Sequence, residues 1–362
     1  MSTSPFMTPD HSRRRRALAA RRRRRRRLAA IGALGLAVLA AIVGAMALAG
    51  RSTGGQRGSA HAATLIRSDP SPAPALSPAG LALGKPPLAL AGIATPGKDP
   101  VHLAFHAPPR AGLLFNLSTG QVLWQHNPFT HLRIASLTKM MTALIAVQSA
   151  PPDAPVLVTR QAVDADGSKV GVLPLGRHVR LESMLYGLLL PSGNDAAVAL
   201  AQYVAGSVNR FVLRMNAEAA RLGMGCTRYS SPSGYYDAGN FSCAADLAVL
   251  AHVDLEQPRI ARIVHTYSAV LPFPIEGGKL YLYNNNPLLI YDYPGVTGLK
   301  TGYTEAAGRC LVATAERDGV RLGVVLLSSP APGTQARQLL NRGFDDVYHL
   351  RPVPEPPMPT GA

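Results

Sequence analysis

The stretch "LAAIGALGLAVLAAIVGAMALAG", residues 28–50, runs for 23 positions without a charged side chain. As a helix it would extend about 34 Å, enough to cross the hydrocarbon core of a bilayer. Eleven arginines stand immediately before it, at 13–16 and 21–27. A basic flank marks the cytoplasmic end of such a helix, so whatever folds after residue 50 is expected to fold on the far side of the membrane. Arginine runs standing alone would suggest nucleic acid, but next to an apolar span they read as a membrane flank, and no nucleic-acid partner is expected. With Asp10 subtracted, residues 1–27 carry +10 of the +16 net charge, which leaves about +6 for everything after them. The basic balance therefore belongs to the N-terminus and not to the folded body.

Residues 60–62, "AHA", followed by Ala63, look like a signal-peptidase site. Against cleavage, the apolar run exceeds the ~7–15 residues of a signal core, and "RSTGGQRGS" separates it from that site. An uncleaved anchor at 28–50 is the expectation, with secretion after a cut near Ala62 as the alternative. Residues 51–107, as in "DPSPAPALSPAG", show no amphipathic period and read as a Pro/Ala/Gly-rich linker. A body is expected over 108–350, and 351–362 is a Pro-rich tail.

Within the body, "AGLLFNLSTGQVLWQHN" (111–127) is a hairpin pattern around an "STG" turn. A helix follows from about Ser136 to Gln148, then apolar helices at 181–190 and 195–205 broken by "PSGN". An amphipathic helix over 209–223 stops at Gly223, and another helix covers 243–255. From about 268 the pattern turns to strands, "SAVLPFPI", "VTGLKTGYT", "RCLVATAER" and "VRLGVVLLSS", with a closing helix over 334–350. A hairpin, a helical block, then strands and a helix predict an α+β body with helices packed on an antiparallel sheet.

Three cysteines, Cys226, Cys243 and Cys310, are too few for a disulfide scaffold. Cys226 and Cys243 could pair in an oxidising compartment, or all three could be buried thiols. No metal-ligand spacing occurs. His102 and His106 stand four apart but in a Pro-flanked segment, so neither a metal nor another cofactor is expected.

Chemistry concentrates in three short motifs. Ser136 and Lys139 in "RIASLTKMM" share one helical face, which lets an amine approach a hydroxyl. Only six of the 37 basic residues are lysines. A lysine, unlike an arginine, can lose its proton when desolvated. "PSGN" places Ser192 and Asn194 in a turn, where polar residues are otherwise caps. "GLKTGYT" puts Lys300, Thr301 and Gly302 in a strand, where glycine marks a close approach to the backbone. The order S-x-x-K, S-x-N, K-T-G is the signature of serine acyl-transfer enzymes that react with penicillin.

On these motifs, and on "YGLLLPSGNDAAVALA", "MNAEAARLGM" and "VTGLKTGYTEAAGRCLVATA", the chain resembles the low-molecular-mass penicillin-binding proteins, the serine-type D-alanyl-D-alanine carboxypeptidases. The resemblance covers roughly residues 108–350 and implies their transpeptidase-like fold, shared with β-lactamases. It implies peptidoglycan stem peptides and β-lactams as partners. By position, it makes Ser136 the acylated nucleophile and Lys139 its base, held neutral by desolvation and by the charge of Lys300. It makes Ser192 a proton relay and Asn194 an orienter of the substrate amide. Lys300 and Thr301 would hold a terminal carboxylate, Gly302 would let the peptide lie against the strand, and the N–H groups of Ser136 and Tyr303 would form the oxyanion hole.

The chain departs from the family pattern at Thr297, where relatives commonly have Asp, and at Tyr303, where some carry His. A small β domain and a C-terminal anchor, common in relatives, have no counterpart before the tail. D,D-endopeptidase activity is the main alternative. A β-lactamase is disfavoured because the class A deacylating glutamate segment, E-x-x-L-N, is not found after Asn194. A non-catalytic wall-binding protein is disfavoured because every reactive side chain is present.

Overall fold

A computed structural model describes residues 75–93, 98–235 and 239–350. The expected cytoplasmic segment, the span at 28–50, the first part of the linker and the tail lie outside the described residues. Among the described residues no single helix is long and apolar enough to cross a bilayer.

Strands β1 (Ala111–Asn116), β2 (Val122–His126), β3 (Val296–Thr304), β4 (Gly308–Arg317) and β5 (Val320–Ser329) form one antiparallel sheet in the order β2-β1-β5-β4-β3. Its strands alternate, as a sheet covered on both faces requires. Leu113, Phe115, Val312, Val325 and Leu327 enter the larger core, while Leu114, Leu311, Ala313, Val324 and Leu326 enter the smaller one behind the sheet.

The larger core is helical. Helix α1 (Thr138–Ser149) is buried over nine consecutive residues, Thr138 to Ala146. A helix apolar all round must lie inside a protein. It is surrounded by α2 (Leu181–Leu189), α3 (Asn194–Ala205), α4 (Val208–Arg221), α5 (Ala244–Leu255) and α6 (Pro258–His265). Helix α7 (Pro332–Arg342) covers the other face of the sheet with Leu339 and Leu340, joined by Phe344 just beyond it. The expected α+β architecture is thus the observed one.

Three expectations need correction. The first helix was expected from Ser136, but Ala135–Leu137 forms a 3₁₀ turn and α1 begins at Thr138, because Ala135 sits at φ +47° and breaks the α-helical path. The closing helix ends at Arg342 and gives way to a wider π-helical turn over Gly343–Val347. Finally, 75–93 and 98–107 do not hang free as linker. Leu88 and Val101 are buried, Leu103 accepts a 3.0 Å hydrogen bond from Trp124 Nε1, and Gly84 N–H donates to Ala220 O at 2.8 Å. Widely spaced apolar residues dock this stretch without any period to betray it.

Candidate active site

The buried helix α1 carries polar side chains that must find partners in a dry interior. Thr138 Oγ1 donates to Ala135 O at 2.8 Å and Thr142 Oγ1 donates to Pro232 O at 2.7 Å. Lys139, fully buried, donates from Nζ to Ser233 O at 2.8 Å, and the same Nζ lies 2.8 Å from Ser136 Oγ. The predicted pair is therefore in hydrogen-bond contact.

Burial holds the Lys139 amine well below the usual lysine range; the neighbouring Lys300 pushes it further down, and Asp195 works weakly against both. Such a shift favours the neutral amine, whose lone pair can take a hydroxyl proton. Lys300, also buried, is brought down to about 7 by burial alone, and its Nζ donates to Thr301 O at 3.0 Å.

Ser136 opens onto a cleft of about 290 Å³ that is also lined by Ser192, Thr301, Gly302 and Tyr303. Ser192 stands at φ +69° between α2 and α3. Its buried Oγ makes no hydrogen bond to any described residue. Asn194 opens α3; its Nδ2 and N–H are held by the carbonyls of Asp166 and Ser168, while Oδ1 has no partner among the described residues. Polar atoms with no protein partner at or beside a cleft are candidates for ligand contact.

Gly302 has a second reason to be glycine. A Cβ there would come within 3.0 Å of Ile134 O and 3.1 Å of Ser136 N, so its bareness lets the serine turn pack on β3. Asp195 braces the loop in front, accepting from Val170 and Gly171 N–H at 2.9 and 3.1 Å.

Of the predicted site residues, Ser136, Ser192, Thr301, Gly302 and Tyr303 meet at the cleft wall. Lys139, Asn194 and Lys300 stand behind it. Arg309, paired across the strands with Tyr303, also lines the cleft and was not anticipated. Its signal was faint: a charged residue at the first turn of a hydrophobic strand. The Ser233 carbonyl was also missed, since a backbone acceptor has no residue-type signature. Cys226 and Cys243 form a disulfide, and Cys310 is a buried thiol outside it.

Comparison with known proteins agrees in kind. A family model described as "D-alanyl-D-alanine carboxypeptidase" matches residues 104–331. The D-alanyl-D-alanine carboxypeptidase DacF of Bacillus subtilis is 33% identical over 265 residues, which span 71% of this chain and 67% of that protein. A D-alanyl-D-alanine endopeptidase of Pseudomonas aeruginosa is 34% identical, over 60% of this chain and 75% of that protein. The crystal structure of the Streptomyces K15 DD-transpeptidase superimposes with a TM-score of 0.63 at 30% identity, covering 67% of this chain and 99% of that one.

Proposed function

The chain belongs to the D-alanyl-D-alanine carboxypeptidase family, and from that premise we propose that it removes the terminal D-alanine of peptidoglycan stem peptides through an acyl-enzyme on Ser136. It is a serine-type hydrolase that also reacts with penicillin. The observation that carries the mechanism is the desolvated Lys139 amine 2.8 Å from Ser136 Oγ.

The steps follow from the placement of the groups. Ser136 gives its proton to Lys139 Nζ and attacks the carbonyl carbon of the penultimate D-alanine. The N–H groups of Ser136 and Tyr303 receive the negative oxygen, a contribution of ~3–4 kcal/mol per donor. Ser192, whose Oγ faces the cleft unpaired, passes a proton to the leaving amine. Free D-alanine departs, and water hydrolyses the ester. Asn194 Oδ1 accepts from the substrate amide. Thr301 binds the terminal carboxylate at the cleft wall, with Arg309 beside it and Lys300 supplying charge from behind the strand.

The same reading puts the body outside the cytoplasm, tethered by residues 28–50. The arginine block before that span supports it. So does the Cys226–Cys243 disulfide, a bond that persists in oxidising compartments.

Two assays test the proposal. Fluorescent penicillin should label the protein at Ser136, and neither Ser136→Ala nor Lys139→Arg should be labelled, since arginine cannot act as a base. Purified protein should release D-alanine from a diacetyl-Lys-D-Ala-D-Ala peptide. Labelling without release, together with cleavage of cross-linked stem-peptide dimers, would make the enzyme an endopeptidase.

A further inference from the structure

Between α4 and α5, residues 222–235 and 239–243 are laced together. The Cys226–Cys243 disulfide closes the base, with Cα atoms 5.6 Å apart. Beyond it, Arg228 and Phe241 exchange both backbone hydrogen bonds at 3.0 Å. Next comes Asn240, which is fully buried. Its Oδ1 accepts from the N–H groups of Ser230 and Ser231 at 3.0 and 3.4 Å, and its Nδ2 donates to Ser231 Oγ at 2.8 Å. Ser231 Oγ accepts in turn from Gly234 N–H at 3.0 Å.

The lacing ends where α1 needs it. From the tip so held, Pro232 O accepts from Thr142 and Ser233 O from Lys139. Gly234, at φ +76°, packs so closely that a Cβ would lie 2.0 Å from Ala135 O, in the turn that carries Ser136. The tip therefore touches Lys139 and the turn that carries Ser136.

We propose that this stapled ladder, with Asn240 as its central positioning residue, fixes the place and the dryness of Lys139 and thereby sets the pH range over which Ser136 is acylated. This rests on the reading of Lys139 as the base. Arg228 enters the ladder through its backbone, and no ladder side chain acts on Lys139 as a charge. The charged groups facing Lys139 from the elements packed around it are Lys300 on β3 and Asp195 on α3. What the ladder contributes is a carbonyl in register and the exclusion of water. Once the tip loosens, water reaches the amine, the cost of charging it falls, and it holds its proton to higher pH.

The test compares the full chain in detergent with Asn240→Ala, Ser231→Ala and the double variant Cys226→Ala/Cys243→Ala, following second-order acylation by a fluorescent penicillin from pH 5 to 10. The expected result is an acid limb displaced upward by about one pH unit, a rate lowered about tenfold on the acid side of that limb, and near-complete recovery on the plateau above it. A rate lowered equally at every pH, with the limb unmoved, would overturn the inference and leave a merely structural ladder. Ser231→Ala removes only two hydrogen bonds, so it decides the matter if a harsher variant does not fold. Wild-type protein that labels nowhere would instead bring down the assignment of Ser136 and Lys139.

Discussion

Replacing Lys300 by methionine isolates the energetic cost of building this cleft. Lys300 is almost fully buried, with its pKa brought from 10.5 to about 7. A depression of that size means the native state disfavours the charged side chain by about 5 kcal/mol. The sign follows from proton counting. Between pH 7 and 10.5 the unfolded chain holds a proton that the native state has lost, so wild-type stability rises with pH across that window. Below pH 7 both states are charged and the full penalty applies. Methionine fills a similar volume without charge. It forfeits the 3.0 Å hydrogen bond to Thr301 O, a net loss of about 1 kcal/mol. Lys300→Met should therefore be more stable than wild type at pH 6.5 by about 2–4 kcal/mol, and the gain should shrink toward zero at pH 10. Part of the gain passes through Lys139, which loses a repelling neighbour. Urea denaturation of both proteins at the two pH values measures the difference, and groups common to both cancel. Penicillin acylation by the variant should fall by roughly 100-fold. A variant no more stable than wild type at pH 6.5, or with an equal advantage at pH 10, would refute the reasoning.

Other perturbations probe separate parts of the molecule. Gly234→Ala places a Cβ against Ala135 O at a positive φ, and should cost at least ~3 kcal/mol in chemical denaturation; a wild-type midpoint would contradict the packing described. Asp254 is fully buried with neither carboxylate oxygen bonded to a described residue, and burial raises its pKa well above the usual range. The native state therefore holds a proton that the unfolded chain loses above pH 4, and Asp254→Asn should gain ~1–2 kcal/mol at pH 8 but little at pH 4. Protease added outside intact cells or spheroplasts should remove the body and leave an arginine-rich stub; complete protection would reverse the topology.

The sequence was most legible where chemistry demands a particular side chain. Ser136, Lys139, Ser192, Thr301 and Gly302 stood out because three short motifs occur in a fixed order, and the short spacing of Ser136 and Lys139 leaves their side chains within a hydrogen bond of each other. The alternation of β4 and β5 and the apolar runs of the helices were equally plain. What escaped notice depends on tertiary context. The Ser233 carbonyl that holds Lys139, and the ladder behind it, belong to a stretch between two helices to which the sequence pattern assigned no element. Arg309 becomes a cleft residue solely through its register opposite Tyr303. Leu88 and Val101 dock 75–93 and 98–107 onto the body from a composition that otherwise reads as linker. The role of Gly302 in the protein's own packing is invisible without the partner turn.

The strand order has a consequence in time. β1 lies between β2 and β5, so Ala111 is paired with Leu327 and Asn116 with Leu322. The first strand of the body to leave the ribosome waits for the last before its inner edge is hydrogen-bonded. Contacts so distant along the chain are slow to form. Until residues 320–329 emerge, the inner edge of β1 has no strand to pair with, and the sheet closes only when its last strand is made.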